Sequence, residues 1–410
     1  MGSVKHSLPR VVVVGAGYAG LSATRELSQN GNVEVVLVAP RRTFALLHRI
    51  PDVLAGVFRP REGMIDLRRW LRERQVSFVE GVVAHWDVRR RVLHVRGKSS
   101  RVVKGKAQKR GIGAASRKGA EHTLSYDYLV VACGKRPSKP RIPGLGPHAH
   151  VVDSLAASES LLHHVRNVLE KARKQRSEAV KESLTFVVCG ESHEAIELAV
   201  ALRGMVDDLA EKKGFDRGAP FVYVVGREDS FVKGLPSRER EALLDWLEVS
   251  GITLLVDVDV QRVDGHHVVL DSGARIAART LVWARVETPR FVESAGLAVE
   301  PGEGVFVSPD LVSVSDTRVF AAGDCCVVEG GSGGSLAFWE AAWQGRLAAR
   351  NVLKMLEGRP LREWRVSRGA RLVATGRGAA LVRRRGVFSS VLFSWWRKFQ
   401  EQRLLARLGL

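Results

Sequence analysis

Apolar residues occur in this chain as short continuous runs, each followed by a small-residue turn and then by a stretch with helical spacing. The run VVVV at 11–14 is typical of a strand buried on both faces. The run LTFVVC at 184–189 leads in the same way into a turn and apolar residues at helical spacing. This repeat predicts an α/β protein with two doubly wound domains.

The first turn, GAGYAG at 15–20, has the glycine spacing of a dinucleotide site. Gly15 permits the tight turn, Gly17 lets the backbone approach a pyrophosphate, and Gly20 lets the helix pack closely on the strand. The amides and dipole at the start of the helix would then face the phosphates. Because a strand precedes the turn and a helix follows it, we predict a Rossmann-like nucleotide site here.

The second strand of this unit, VEVVLVAP at 33–40, lacks one expected feature. An acidic residue usually ends this strand and binds the ribose, but the position is occupied by Ala39. We expect the backbone and a stacked Arg41 to hold the adenosine end instead.

Five further segments follow in a characteristic order. They are FALLHRIPDVLAGVFRPREGMIDLRRWL (44–71), YDYLVVACGKRPSKPRIPGL (126–145), LTFVVCGESHEAIELAVAL (184–202), VFAAGDCC (319–326) and LAFWEAAWQGRLAARNVL (336–353). Together with the first turn, this order resembles the two-dinucleotide-domain flavoproteins that include type II NADH dehydrogenases and sulfide:quinone oxidoreductases. The resemblance covers roughly residues 10 to 356.

The resemblance implies a fold of two doubly wound Rossmann-like domains, the second inserted in the first, plus a C-terminal amphipathic helical region. An FAD-binding domain would comprise 1–145 and 291–345. An NAD(P)H-binding-like domain would comprise 146–290. The remaining residues, 346–410, would form a membrane-interface or dimerisation region.

The resemblance also implies a reaction, in which hydride passes from NADH or NADPH to FAD and electrons then pass to a quinone. Asp324 would reach the ribityl chain of FAD, and Gly323 would give it clearance. Glu197 would lie near the nicotinamide and quinone, and Gln344 close to the flavin where quinone enters. Trp339 and Trp343 stand where the family often has glutamine, so they either line a quinone tunnel, close it, or pack against the C-terminal helices.

The second turn departs from the glycine pattern. Gly190 is kept, but serine and alanine replace the other two glycines, at 192 and 195. Glu191 and Glu194 would each repel a bound pyrophosphate by roughly 1 kcal/mol at surface dielectric. Arg227 follows the next strand, where it suits the 2′-phosphate of NADPH better than NADH. Three interpretations stay open: a weak NADPH site, an adapted NADH site, or a structural shell.

Charge and the C-terminal sequence indicate a membrane partner. The formal net charge is +20, with a basic insert at 97–122 and a basic tail. In the tail, 388–410, aromatic and aliphatic residues form one stripe with arginines largely elsewhere, which suits an anionic membrane surface. A docking helix within a homodimer is the alternative. The basic insert has no aromatic residues to stack bases, so we expect no nucleic-acid partner.

The expected location is peripheral, on the cytoplasmic side of the membrane. The first ten residues leave no room for a signal peptide, and no apolar run is long enough to span a bilayer.

Four cysteines bear on the rival functions. They are Cys133, Cys189, Cys325 and Cys326, and none has metal-ligand spacing, so no metal site is predicted. A sulfide:quinone oxidoreductase-like enzyme would use Cys133 and the adjacent pair to carry sulfur to the flavin. A flavin-binding protein with a non-functional nicotinamide site is the second alternative, favoured by the altered second turn.

Overall fold

A computed structural model of the chain describes residues 8–97, 121–174, 177–227, 231–330, 336–365, 371–383 and 386–410. Almost all of the basic insert at 97–122 lies outside the described residues. The helices are α1 (Tyr18–Ser28), α2 (Ile50–Leu54), α3 (Arg68–Glu73), α4 (Leu145–His148), α5 (Leu155–Ala172), α6 (Ser177–Ser183), α7 (His193–Lys212), α8 (Ser237–Val249), α9 (Arg290–Glu293), α10 (Phe338–Leu356) and α11 (Val391–Leu408).

The strands are numbered in the same way along the chain. The first nine are β1 (Arg10–Val14), β2 (Glu34–Ala39), β3 (Thr43–Ala45), β4 (Met64–Asp66), β5 (Ser77–Asp87), β6 (Val92–Gly97), β7 (Glu121–Ser125), β8 (Tyr128–Val131) and β9 (Arg136–Pro137). The next nine are β10 (Ala149–Val151), β11 (Thr185–Cys189), β12 (Phe221–Gly226), β13 (Ile252–Val256), β14 (Val260–Val263), β15 (His267–Leu270), β16 (Arg275–Ala277), β17 (Thr280–Trp283) and β18 (Val286–Glu287). The last seven are β19 (Val299–Glu300), β20 (Gly304–Val307), β21 (Val319–Ala321), β22 (Cys326–Val328), β23 (Arg371–Ala374), β24 (Ala379–Arg383) and β25 (Gly386–Ser390).

The first sheet has the order β21-β8-β1-β2-β5-β6-β7. Its first five strands run parallel, and β6 and β7 continue it as an antiparallel extension. The four valines of β1 are buried on both faces, as their continuous apolar run predicts. Helix α1 packs between this sheet and α10, so the first turn lies at the carboxyl edge of the sheet, next to α10.

The second sheet is fully parallel, with the order β10-β17-β11-β12-β13. Its strands lie in sequence between β8 and β21, so the predicted insertion of one doubly wound domain in another is confirmed. In this strand order the chain reverses direction of winding between β11 and β17. Such a reversal is where open α/β sheets bind ligands, outside the carboxyl ends of the strands.

The C-terminal region differs from the purely helical one that we predicted. A three-stranded antiparallel sheet, β23-β24-β25, precedes α11, and Phe388 lies on β25 instead of on the helix. Val373, Ala380 and Val382 of this sheet join the apolar core of the second domain. Leu404 and Leu408 of α11 join the core of the first domain. The region therefore packs on both domains. Among the residues that the structure describes, no helix has the length and apolar content needed to cross a bilayer.

Candidate functional site

The first glycine turn has the geometry that a dinucleotide requires. Gly15 has a φ of +112°, and a Cβ there would lie 2.1 Å from the carbonyl oxygen of Ala132. A Cβ on Gly20 would lie 1.8 Å from the carbonyl oxygen of Gly15. By contrast, a Cβ on Gly17 would meet no atom within 4 Å. The fold therefore requires the outer two glycines, while the middle one leaves open space before α1 that fits a pyrophosphate.

A second glycine-rich contact brings α10 against this turn. A Cβ on Gly345 would lie 2.0 Å from the carbonyl oxygen of Ala19, so only glycine lets the two helices approach this closely. The neighbouring Gln344 is buried, and its side-chain oxygen accepts a hydrogen bond of 2.8 Å from the amide of Gly323. Gln344 thus holds the turn formed by Gly323 and Asp324, the Gly-Asp turn, in place. The predicted position of Gln344 near a quinone stays a prediction.

The Gly-Asp turn itself lies where a residue with a left-handed backbone is needed. Gly323 has a φ of +83°, and Asp324 accepts a hydrogen bond of 2.9 Å from the amide of Leu336, just before α10. The side chain of Asp324 is only half-buried, at the carboxyl edge of the sheet that also carries the first turn. This position suits the predicted contact with a ribityl chain, which stays a prediction.

The adenosine end of this site contains an acid that our sequence reasoning missed. Ala39, which ends β2, lies opposite Glu80 on the adjacent strand β5. Glu80 pairs with Arg42 over 3.2 Å, and the guanidinium of Arg42 lies 5.4 Å from the ring centroid of Phe78. Arg41 is exposed. A carboxylate is therefore present at this edge of the sheet, supplied by the neighbouring strand.

A buried cluster of polar side chains fastens α11 to the first domain; we call it the docking cluster. Its members are Tyr18, His48, Arg49, Asp52, Arg397 and Glu401. Arg49 donates to both oxygens of Glu401 at 2.7 and 2.8 Å, and Arg397 lies 3.3 and 3.1 Å from the oxygens of Asp52. His48 bridges Tyr18 of the first turn to Glu401. The cluster thus connects the C-terminal helix to the turn itself.

Burial and pairing fix the protonation states in the docking cluster. Burial lowers the pKa of His48 to about 4, although its hydrogen bond to Glu401 acts in the opposite direction. Burial alone would raise the pKa of Glu401, but hydrogen bonds from His48 and Arg49 outweigh it and lower the pKa to about 2. At neutral pH the pair is therefore a neutral imidazole and a carboxylate. Burial also raises the pKa of Tyr18, which stays protonated.

An aromatic series runs from this cluster to the surface. The ring of His48 stacks on Phe338 at 4.1 Å, Phe338 contacts Trp339 at 4.8 Å, and Trp339 contacts Trp396 of α11 at 5.1 Å. Trp343 is 41% exposed. The two tryptophans of α10 therefore differ, since one packs on the C-terminal helix and the other faces outward.

The second turn keeps the backbone geometry of the first despite its lost glycines. The amide of Gly190 donates to the carbonyl of Val225 at 3.0 Å, as Gly15 donates to Val38 at 2.8 Å in the first domain. Gly190 has a φ of +152°. Ser192 accepts a hydrogen bond from the amide of Ala195 at 3.2 Å and so caps α7. The turn therefore keeps its backbone conformation although serine and alanine replace glycine at positions 192 and 195.

The two acids of this turn have different environments. Glu194 is exposed, whereas Glu191 is turned inward, where its carboxylate pairs with Arg285 over 3.2 Å. Burial raises the pKa of Glu191, and Arg285 opposes that rise. Arg227, predicted to prefer NADPH, is exposed directly after β12. The predicted repulsion of a phosphate by Glu191 is therefore partly offset by a cation that the sequence pattern did not reveal.

Glu197 lies on α7 and contacts the C-terminal sheet. It accepts a hydrogen bond of 2.6 Å from the amide of Ala374, and His193 of the same helix lies 3.7 Å away and bonds to the carbonyl of Leu372. Burial raises the pKa of Glu197. Glu197 therefore holds β23 against α7. Its predicted role near nicotinamide and quinone stays a prediction.

Two cysteines meet at the carboxyl edge of the first sheet. Cys325 is fully buried, and its sulfur lies 3.5 Å from the carbonyl oxygens of Val131 and Ala322. Its interaction with the neighbouring Cys133 lowers the pKa of Cys325 and raises that of Cys133. Cys326 is half-buried, with its sulfur 3.3 Å from the carbonyl oxygen of Gly323. All four cysteines are free thiols. Full burial of Cys325 makes it poorly placed to receive sulfur from a substrate.

Two doubly wound domains, each with a dinucleotide turn, define the architecture of a protein with places for two nucleotides. A model of the pyridine nucleotide-disulphide oxidoreductase family matches residues 9–345. The chain belongs to this family, as the resemblance implied.

Several curated proteins are similar in sequence. A mitochondrial external alternative NAD(P)H-ubiquinone oxidoreductase B4 of Arabidopsis thaliana is 27% identical over 49% of this chain and 33% of its own length. An NADH dehydrogenase-like protein of Mycobacterium tuberculosis is 27% identical over 88% of this chain and 84% of its own length. A type II NADH:quinone oxidoreductase of Staphylococcus saprophyticus is 22% identical, covering 88% and 86%. The matches span a third to about half of the length of the plant relatives.

Solved structures confirm the fold. NDH2 of Plasmodium falciparum in complex with NADH has a TM-score of 0.72 at 12% identity, covering 98% of this chain and 95% of its own. The sulfide:quinone oxidoreductase of Aquifex aeolicus also has a TM-score of 0.72, at 15% identity, covering 98% and 91%. At these identities the likeness shows the two-domain fold alone.

Proposed function

We propose that this protein is an NAD(P)H:quinone oxidoreductase that passes electrons from a reduced nicotinamide dinucleotide through FAD to a quinone. The observation that carries the proposal is that both sheets have the same turn geometry, at Gly15 and at Gly190. In each sheet the turn lies where the strand order reverses. A chain with two such turns has places for two dinucleotides, one resident and one exchanging. Several relatives are NAD(P)H-ubiquinone or NADH:quinone oxidoreductases, which supports the same assignment.

The first domain has the residues to hold FAD. Open space at Gly17 and the start of α1 would receive the pyrophosphate, and Asp324 would bind the ribityl chain. Arg42 and Glu80, with Arg41 nearby, would hold the adenosine end. Bound FAD would accept one hydride, which carries two electrons, and would pass these two electrons to the acceptor. The protein's own contribution is to fix the flavin against α10, through Gly345 and the bond between Gln344 and Gly323.

The C-terminal region exposes a group of large apolar side chains, which supports a membrane as the quinone source. The residues concerned are Phe388, Val391, Leu392, Trp395, Trp396 and Phe399. Trp395 is 71% exposed and Leu392 is 75% exposed, whereas Arg397 of the same helix is buried against Asp52. At Leu392, Trp395 and Arg397 the first half of the helix therefore directs apolar groups outward and a charge inward, the reverse of a helix that faces water.

The arginines of the tail were expected to suit an anionic membrane surface, and for Arg397 this expectation is wrong because its guanidinium binds Asp52 inside the protein. Arg403 and Arg407, at the far end of α11, are exposed and suit anionic headgroups. We therefore propose peripheral seating on an anionic membrane surface, on the cytoplasmic side, with a homodimer contact as the alternative use of the same face.

Quinone reduction by the purified, FAD-loaded protein tests the proposal. We expect NADH or NADPH to be consumed with a short-chain ubiquinone analogue, whereas sulfide would not be. Consumption of sulfide alone would instead support the Cys133–Cys325 alternative. Consumption of none of the three would contradict the proposed reaction and leave a flavin-binding protein.

Vesicle binding tests the seating. The double variant Leu392→Ser, Trp395→Ser should lose co-sedimentation with vesicles that contain anionic lipid. The control is Val249→Ser, because Val249 is 89% exposed at the end of α8, outside the C-terminal region. Unchanged sedimentation of the double variant would rule out this face as the membrane contact, and a change in oligomeric state would assign the face to a dimer.

A further inference from the structure

The crevice of the second domain contains an ion pair at the point where a dinucleotide would cross. Gly190 follows β11 and Arg285 follows β17, the two strands between which the sheet reverses its winding. The amide of Ala284 donates to the carbonyl of Cys189 at 2.8 Å, so the two strand ends lie side by side. Glu191 and Arg285 bridge these ends with a 3.2 Å contact. A pyrophosphate that entered the crevice would meet this pair first.

Comparison with the first domain shows that the pair is an addition to the site. The amide of Ala132 donates to the carbonyl of Val14 at 2.9 Å, in the same way as Ala284 does in the second domain. Cys133 therefore corresponds to Arg285. By the same alignment of the turns, Ala16 corresponds to Glu191. The crevice that would hold FAD has two small side chains where the second crevice has a salt bridge.

The side chain of Glu191 lies over the end of β12 in this inward position. A Cβ on Gly226 would lie 3.3 Å from Oε2 of Glu191, so the acid extends across the end of β12 as well. The carbonyl of Glu191 also accepts a hydrogen bond of 2.8 Å from the amide of Val232. Its side chain is 19% exposed. The acid therefore occupies space beside the end of β12, where a dinucleotide places its ribose.

Arg285 has the features of an anion-binding residue. Its Nε faces Glu191, and its NH1 lies 2.5 Å from Asp259. Its NH2 is enclosed and has no hydrogen-bond partner among the residues that the structure describes. A guanidinium binds carboxylates and phosphates through the same paired N–H groups. A pyrophosphate could thus replace the carboxylate of Glu191 on Arg285 and also use the remaining donor.

We propose that Arg285 is the pyrophosphate-binding residue of the second crevice and that Glu191 competes with the dinucleotide for it. Binding then requires the Glu191 carboxylate to leave Arg285, while Asp259 keeps its contact with the guanidinium. The inference rests on the proposed function, because it names the residue that would receive the nicotinamide dinucleotide. It also explains how a turn with the right backbone can bind its ligand weakly.

ADP-ribose is the probe, because it carries the pyrophosphate and cannot reduce the flavin. Its Kd is measured by calorimetry on the full chain saturated with FAD, so that the first site is filled. Glu191→Gln keeps the side-chain volume but removes the charge, and we expect it to tighten the Kd by about tenfold or more, equivalent to about 1.4 kcal/mol. The matched control is Glu194→Gln on the same turn, where the exposed acid should have a much smaller effect.

The double variant Glu191→Gln, Arg285→Gln assigns the gain to the arginine. It should lose the tighter binding, whereas Arg285→Lys in the Glu191→Gln background should retain part of it. Circular dichroism confirms that each variant is folded. An unchanged or weaker Kd in Glu191→Gln would overturn the proposal, and so would an equal gain in Glu194→Gln or a gain that persists without Arg285.

The outcomes also separate this inference from the proposed function. Flavin reduction by NADH or NADPH with no effect of Glu191→Gln would leave the function standing and remove the competition. Tighter ADP-ribose binding in Glu191→Gln, with no flavin reduction by either nucleotide in any variant, would support the competition and contradict the proposed reaction.

Discussion

Removal of the Arg397 charge should detach the C-terminal helix from the first domain. Arg397→Gln eliminates the contacts to both oxygens of Asp52, at 3.3 and 3.1 Å, and the bond to the carbonyl of His48. Among the residues that the structure describes, Asp52 then keeps Arg49 as its cationic partner, at 3.1 Å. Because both Arg397 and Asp52 are buried, the remaining carboxylate loses compensation that water cannot supply.

The size of the effect follows from the burial of the pair. Removal of one partner of a buried ion pair costs about 3–5 kcal/mol. Since Arg49 still compensates Asp52 in part, we take the lower end, about 3 kcal/mol, for the docking of α11. At 1.36 kcal/mol per tenfold change, this is about a hundredfold increase in the population of the detached helix.

Native-state hydrogen exchange measures that population directly. The amides of α11 should lose protection by about a hundredfold in Arg397→Gln, while those of β11 and β12 should change little. The control is Arg403→Gln, the same substitution on the same helix at an exposed position. If both variants lost equal protection, or if neither did, the docking cluster would not hold the helix and the reasoning would be refuted.

Three further predictions concern the first turn, its contact with α10 and the docking cluster. Gly17→Ala should leave thermal unfolding of the flavin-free protein unchanged, because the added Cβ meets no protein atom within 4 Å. The same variant should bind FAD more weakly, as measured by flavin fluorescence, and a normal FAD affinity would contradict the placement of the pyrophosphate. Gly345→Ala should lower the melting temperature and the flavin content together, because its Cβ would overlap the Ala19 carbonyl; an unchanged melting temperature would contradict the close approach of the two helices. Docking of α11 should weaken as pH falls from 6.5 towards 4. In the detached state His48 is protonated at its ordinary pKa of 6.5, whereas in the docked state, where it faces Tyr18, Glu401, Arg49 and Arg397, its pKa is about 4. This pKa difference corresponds to about 3 kcal/mol of docking free energy. Hydrogen exchange of the α11 amides, measured as a function of pH, reports this loss of docking. Because docking lowers the pKa of Glu401 from 4.5 to about 2, the loss should continue as pH falls from 4.5 towards 2. Protection that does not change between pH 6.5 and 4 would contradict this prediction.

Local sequence was sufficient for the two turns because their geometry is determined locally. Gly15 and Gly20 are required by backbone contacts within one strand–turn–helix unit, so their spacing alone predicts the structure. The Gly-Asp turn is similar, since the positive φ of Gly323 needs glycine. Continuous apolar runs identified the central strands because both faces of those strands are buried.

Contacts that depend on strand order or on distant segments could not be read from the pattern. Glu80 lies beside Ala39 only because β5 pairs with β2. His48 and Glu401 are 353 residues apart in sequence, and no periodicity relates them. The same is true of Glu191 and Arg285, where the second turn showed an acid but not its partner. The β23–β24 hairpin did have a signal, two glycines at 376 and 378 between short apolar runs, that the helical interpretation overlooked.

Anaerobic addition of NADH, and separately of NADPH, to the purified FAD-loaded protein tests directly whether electrons pass from a nicotinamide through the flavin to a quinone. We expect the visible absorbance of the flavin to be bleached by at least one nucleotide, faster in Glu191→Gln than in the natural protein, and to be restored when a quinone is added. A flavin that stays oxidised with both nucleotides in both proteins would contradict it.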